Sequence, residues 1–192
     1  NRNRINTQNS FNEFLQVVKY LGCKEVLLIS GSQKRATLDS VSTLSFLKDN
    51  PKFSKSDLFI GVAFNPYLPS FIFNEEIIRL EKKLKSGLVN SIWIQFGTDI
   101  RLLESRIKIL KNIILSTIDN NSNKLNIILY GSILIPSKQF LTRFKYRPWK
   151  EVYCSPEFLN SPEFAKNHTY EILKAYKHYG ICPIIETKTS TD

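Results

Sequence analysis

The sequence contains 192 residues, of which 42% are hydrophobic and 23% charged, and its formal net charge is +10. This length and hydrophobic content suit one ordinary core, so we predict a single domain over residues 1–192. No apolar segment approaches the roughly 20 residues that cross a bilayer, and the polar residues 1–10 do not resemble a signal peptide. We therefore expect a cytoplasmic protein with no membrane partner.

The predicted elements alternate between helices and strands along the chain. The first helix has apolar residues at helical spacing and is followed by Gly22. The third helix has a candidate N-cap at Asn74 and lysines in its last turn. The predicted helices cover residues 10–21, 37–48, 74–86, 99–117, 136–144 and 162–179. The predicted strands cover residues 25–30, 57–64, 91–96, 125–130 and 182–186, and residues 146–160 are expected to be irregular.

Short apolar strands separated by helices indicate an α/β protein with a parallel sheet. Two architectures compete, an open doubly wound sheet and a (β/α)8 TIM barrel. The sequence has no GxGxxG fingerprint, which weakens the dinucleotide-binding open sheet. We predict the TIM barrel, here incomplete with about five βα units. Its two open sheet edges would favour association with a partner chain, so a homo-oligomer is one expectation.

In both architectures ligands bind at the carboxyl ends of the strands. Small, amide or hydroxyl residues occur at four of these ends, and a carboxylate occurs at the fifth. The five ends are Ser30-Gly31-Ser32, Asn65-Pro66, Gln95-Phe96-Gly97, Gly131-Ser132 and Ile185-Glu186. With the aromatic residues Phe64, Tyr67 and Phe96 nearby, this edge suits a flat, polar, aromatic ligand. The alternative is that glycine and proline only form tight βα turns.

The remaining composition argues against several other classes of protein. Cys23, Cys154 and Cys182 are scattered without a CxxC pair, which predicts reduced structural cysteines and no metal site. The cations are spread along the chain, so nucleic-acid binding is not favoured over a pocket for anionic small molecules or simple compositional bias. The basic and aromatic segment at residues 143–150 is the only local support for an RNA-binding module.

A family resemblance rests on three consecutive segments. IGVAFNPYLPS (60–70), EEIIRLEKKLKSG (75–87) and SIWIQF (91–96) resemble the middle of the methylenetetrahydrofolate reductase family, in order and spacing. Residues 1–31 resemble the family's DRNR-type segment with its following helix and strand, and residues 131–137 resemble a later loop. The resemblance covers the chain to about Ser137 and is loose beyond it.

The resemblance implies a barrel that binds FAD and passes a hydride from NAD(P)H to 5,10-methylenetetrahydrofolate, in one-carbon metabolism and methionine biosynthesis. It also implies that this chain is the C-terminal portion of the barrel and that the family's catalytic glutamate would precede Asn1. The chain contains no methionine, so we expect a fragment or a processed product.

The resemblance implies roles for individual residues. At the first strand end Ser30, Gly31 and Ser32 would approach the flavin. Lys82 and Lys83 would contact the flavin phosphates, although a solvated helix face is the alternative.

Two further residues take roles from the resemblance. Phe64 would contact the flavin or pack in the core, and Gln95 would bind the substrate. Ser32 replaces a family aspartate, which leaves a divergent folate- or flavin-binding protein without activity as an alternative. Outside the resemblance, we consider Glu157, His168 and Glu186 as acid–base candidates.

Overall fold

The computed structural model describes residues 7–30, 38–50, 58–119 and 126–186. The strands of this part of the chain are β1 (Glu25–Leu28), β2 (Phe59–Phe64), β3 (Val89–Ile94), β4 (Ile128–Leu134) and β5 (Cys182–Glu186). The helices are α1 (Gln8–Tyr20), α2 (Ser40–Asp49), α3 (Ser70–Lys85), α4 (Ile100–Asp119), α5 (Lys138–Tyr146), α6 (Pro156–Asn160) and α7 (Pro162–His178). The predicted alternation of helices and strands is thus confirmed.

Several predicted boundaries differ from those of the structure, most clearly at α3 and β4. Helix α3 begins four residues before Asn74, with Pro69 as its N-cap. Strand β4 does not end before Gly131 but continues to Leu134. The segment expected to be irregular contains the short helix α6, which begins with Ser155 accepting a hydrogen bond from the Phe158 N–H.

The five strands form one parallel sheet in the order β1-β2-β3-β4-β5, curled as half a barrel. The sequential order has no reversal, so the doubly wound alternative is excluded as well. Consecutive crossovers of one hand place the helices on one face of the sheet. Neighbouring helices contact each other in turn, α2 with α3, α3 with α4, and α4 with α7.

The predicted (β/α)8 TIM barrel is wrong for this chain. A closed barrel requires its last strand to hydrogen-bond with its first. Within the described residues β1 pairs with β2 alone and β5 pairs with β4 alone, so the sheet is open. Five strands extend around only part of the circumference that eight strands enclose.

The core lies between the sheet and the helices. Residues of β2 and β3 that point toward the helices are fully buried, as Ile60, Val62 and Ile92 illustrate. The opposite face of the sheet, which we call the uncovered face, exposes large apolar side chains. Phe59 is 54% exposed and Ile128 is 44% exposed. No helix in the described part of the chain is long and apolar enough to cross a membrane.

Candidate functional site

Three polar residues lie level with one another at the carboxyl edge of the sheet. Strand pairing places Phe64 beside Ile94, and Ile94 beside Gly131. The residues that follow these three are Asn65, Gln95 and Ser132. We call them the carboxyl-edge row. Because side chains alternate along a strand, the row faces the uncovered side of the sheet.

The loop of residues 65–69, the Asn-Pro loop, is held by a buried arginine from α4. Arg106 is 5% exposed, and its Nη1 donates to the carbonyl oxygens of Pro66 at 2.6 Å and Leu68 at 2.5 Å. Its guanidinium lies 3.8 Å from the centre of the Phe73 ring. Sequence reasoning missed this residue. The available signal was an arginine within the apolar stripe of α4, next to Ile107.

Asn65 fastens the same loop at its start. Its Oδ1 accepts from the N–H of Tyr67 at 2.9 Å, and its Nδ2 donates to the carbonyl oxygen of Glu151 at 2.8 Å. Glu151 has a positive φ of 66°, the uncommon left-handed conformation for a residue with a side chain. Both ends of the Asn65 side chain therefore serve the loop, and the loop is linked to the segment that follows α5.

The aromatic residues expected at this edge are buried instead. Phe64 is 0% exposed and packs on Phe73, on the helix side of β2. Phe96 packs on Phe158. Tyr67 lies against Gly97, where a Cβ would come within 2.5 Å of its ring. These side chains point into the core, so they do not line the edge, and Phe64 adopts the core position that was the alternative to a flavin contact.

The hydroxyl group of Tyr67 has an unusual environment. It is buried and has no hydrogen-bond partner among the described residues. Burial raises the pKa of this phenol well above its ordinary value, so Tyr67 stays neutral.

Two other aromatic side chains occupy the uncovered face. Trp93 and Tyr130 are neighbours across β3 and β4, with ring centroids 5.0 Å apart. The indole N–H of Trp93 donates to Ser91 Oγ at 3.0 Å, and Ser91 donates to Glu25 Oε1 at 2.5 Å. This chain of bonds crosses Gly61, where a Cβ would lie 2.8 Å from both Ser91 Oγ and Trp93 Nε1.

Of the predicted cofactor residues, Ser30 and Lys83 lie near the carboxyl ends of β1 and β2. Ser30 Oγ receives a hydrogen bond from Arg79 Nη2 at 3.2 Å and another from the Ser40 N–H at 3.0 Å. Lys83 is 4% exposed, and its Nζ donates to the carbonyl oxygen of Ala63 at 3.2 Å. Lys82 is exposed. Gly31 and Ser32 lie outside the described residues.

A carboxylate, Glu76, lies near Lys83 and the backbone of Asn65. Burial raises the pKa of Glu76, and the nearby Lys83 ammonium pulls it the other way. Burial likewise lowers the pKa of Lys83, and Glu76 opposes that shift. Each group therefore partly offsets the effect of burial on the pKa of the other.

The acid–base candidates differ in their surroundings. His168 Nε2 donates to the carbonyl oxygen of Thr98 at 2.6 Å, and its ring stacks on Phe164. The histidine thus joins α7 to the segment after β3. Glu157 is exposed on α6. Glu186, in contrast, accepts a hydrogen bond from Ser132 of the carboxyl-edge row at 2.5 Å.

The site as described is a polar edge above an aromatic pair, with cations at one end. Gln95 is half-buried, and its Oε1 accepts a hydrogen bond from the N–H of Phe96 at 3.1 Å. Its amide nitrogen takes no part in that bond. Among the described residues no group of histidines, cysteines and carboxylates is arranged to bind a metal ion. No protein-family model matches the chain, and no curated protein matches it.

Proposed function

We propose that this protein acts as a flavin-dependent reductase of 5,10-methylenetetrahydrofolate with NAD(P)H as the donor. The observation that carries the proposal is the anchored Asn-Pro loop beside Gln95 at the carboxyl edge of a parallel sheet. Ligands of parallel α/β sheets bind at this edge. The fixed loop lowers the entropy that is lost when a ligand binds. The sequence resemblance supports the choice of ligand.

The residues present fit the anionic part of FAD. Ser30 and Arg79 place a hydroxyl and a guanidinium together near the end of β1. A guanidinium suits phosphate oxygens because it donates several N–H groups in one plane. Ser30, Arg79 and the exposed Lys82 would hold the diphosphate. The flavin, when bound, would accept a hydride from the nicotinamide and deliver it to the folate.

The side chains of the edge would bind and orient the reactants. The Gln95 amide can donate and accept, which suits the polar edge of a heterocycle. Trp93 and Tyr130 offer an apolar floor against which a flat ring can pack. Lys83 is buried and donates to the Ala63 carbonyl, so we assign it a role in holding β2 and not in the chemistry.

A spectrum of the purified protein after incubation with FAD tests the proposal. We expect retained absorbance bands at about 370 and about 450 nm, the signature of oxidised flavin. NADH or NADPH should bleach them, and methylenetetrahydrofolate should restore them. The variant Gln95→Ala should lower the affinity for the folate, whereas Gln139→Ala, at an exposed glutamine of α5, should not. A folded protein that takes up no FAD would contradict the proposal.

A protein that binds flavin or folate without turnover would match the alternative left open by Ser32. Retained flavin bands that no nicotinamide bleaches would favour this alternative. The same experiment therefore separates a reductase from a binding protein.

One surface favours a second candidate function, the binding of single-stranded RNA. Arg143, Lys145, Arg147 and Lys150 are all exposed, and Tyr146 among them is 82% exposed. Cations that follow a backbone, together with aromatic rings for base stacking, are typical of such sites. Fluorescence anisotropy with a labelled RNA should then show affinity that falls steeply with salt. Affinity that is unchanged in Arg143→Ala or Arg147→Ala would contradict this candidate.

A further inference from the structure

The pair formed by Ser132 and Glu186 stands out on the uncovered face. Gly131 faces the helices, because a Cβ there would overlap the Tyr176 ring. Its neighbour Ser132 therefore points to the uncovered face. Strand pairing sets Ser132 beside Ile184 and sets Leu134 beside Glu186. Glu186 thus shares the uncovered face with Ser132 and lies one level nearer the carboxyl edge.

The hydrogen bond between the two residues orients the carboxylate. Ser132 Oγ donates to Glu186 Oε1 at 2.5 Å. Glu186 therefore leans back over the sheet toward the carboxyl-edge row. Within the described part of the chain no hydrogen bond reaches its other oxygen, Oε2, and none of the ion pairs includes it. An ionised carboxylate only accepts hydrogen bonds, so Oε2 is available to a donor from a ligand.

Gln95 and Glu186 lie at the ends of two strands that flank β4. Gln95 follows β3 and Glu186 ends β5, with β4 between them. Gln95 is level with Ser132, and Glu186 lies one level nearer the carboxyl edge and reaches back to Ser132. A flat ring placed over this edge would meet an acceptor-only carboxylate from β5 and an amide from the end of β3. Such a ring would lie above the Trp93 and Tyr130 pair.

We propose that Glu186, oriented by Ser132, binds the edge of a flat amino-heterocycle that presents adjacent N–H donors. The pterin head of a folate has this chemistry, so the inference rests on the proposed function and specifies how its substrate is recognised. Glu186 is a binding residue for the ring, and Ser132 is a positioning residue for Glu186. One N–H would donate to Oε2 and the adjacent N–H to the second lone pair of Oε1, which gives a bidentate, charge-assisted pair, the stronger kind of hydrogen bond.

The test measures binding of folic acid and of p-aminobenzoylglutamate, which lacks the ring, to the full chain by calorimetry. Glu186→Gln keeps the shape of the side chain and removes the charge. We expect it to weaken folic acid binding about tenfold or more, the usual loss for a hydrogen bond to a charged group. Ser132→Ala should weaken it less, by several-fold. Binding of p-aminobenzoylglutamate and FAD should not change.

A matched control is Glu75→Gln, at an exposed carboxylate on α3. It should bind folic acid like the unmodified protein. Equal folic acid affinity in Glu186→Gln and in the unmodified protein would overturn the inference and leave the proposed function standing. FAD uptake without any folic acid binding would also overturn the inference. A protein that binds neither FAD nor folic acid would overturn both the proposed function and the inference.

Discussion

Replacement of Arg106 by leucine should destabilise the protein and loosen the Asn-Pro loop. The guanidinium is the donor to two loop carbonyls, those of Pro66 and Leu68, at a position that is 5% exposed. A buried polar group that loses its partner costs about 1–3 kcal/mol. With two carbonyls affected and partial access of water to the exposed side of the loop, we expect a loss of about 2–5 kcal/mol. Loss of the contact with Phe73 acts in the same direction.

Guanidinium chloride unfolding of Arg106→Leu, compared with Arg101→Leu, measures this loss. Arg101 is exposed one and a half turns earlier on the same helix, and its replacement should change the free energy of unfolding by no more than about 0.5 kcal/mol. Arg106→Lys keeps the charge but cannot reproduce the fork of N–H donors, so it should fall between the two. Hydrogen exchange at the Tyr67 amide, which is bonded to Asn65, reports on the loop directly. Equal stability of the two leucine variants would refute the reasoning.

Three further predictions concern stability. Tyr67→Phe removes a buried hydroxyl that has no partner among the described residues, so it should raise the free energy of unfolding by about 1 kcal/mol. Tyr176→Phe loses a bond to the Ser132 carbonyl and should lower the free energy of unfolding by about 1 kcal/mol. Changes of the same sign in denaturant unfolding of the two variants would contradict this prediction. Gly61→Ala should cost about 1–3 kcal/mol because its Cβ meets Ser91 and Trp93, and it should shift the tryptophan fluorescence, which an unstrained site would leave unchanged. Burial holds the pKa of Glu76 above its ordinary value of 4.5. The contribution of the Glu76 carboxyl to stability is therefore full below pH 4.5 and is lost as the pH rises through the raised pKa. Glu76→Gln should lessen the fall in Tm between about pH 4 and about pH 7, and an unchanged dependence of Tm on pH would contradict this prediction.

The strands could be predicted from the sequence because each is a short apolar run between turn residues. The ends of the strands could not be predicted in the same way. Gly131 is typical of a turn, yet it lies within β4, because the ring of Tyr176 from α7 occupies the space that a side chain would need. The number of strands, five, did predict a sheet with two open edges, because five strands cannot close the circumference that eight enclose.

The candidate site was predictable only where it follows from strand ends. Asn65 and Gln95 were expected at the carboxyl edge and lie there, whereas Phe64, one residue earlier, points to the other face because side chains alternate. The bond from Ser91 to Glu25 joins residues 66 positions apart across an intervening strand. Such a contact depends on register, which a single sequence does not specify.

The uncovered face carries negative charge, whereas the protein as a whole is positively charged. The chain carries a formal +10. Among the described residues of the five strands, however, the charged side chains on the uncovered face are two carboxylates, Glu25 and Glu186, and each is bonded to a serine. Arg79 of α3 supplies a cation near the end of β1, where it donates to Ser30. A ligand with N–H donors at one end and an anionic group at the other would therefore be oriented by electrostatics alone. Reversing the charge at one end, by Arg79→Glu, should weaken the binding of FAD more than that of p-aminobenzoylglutamate, and equal losses would argue that the cation acts only through the overall charge.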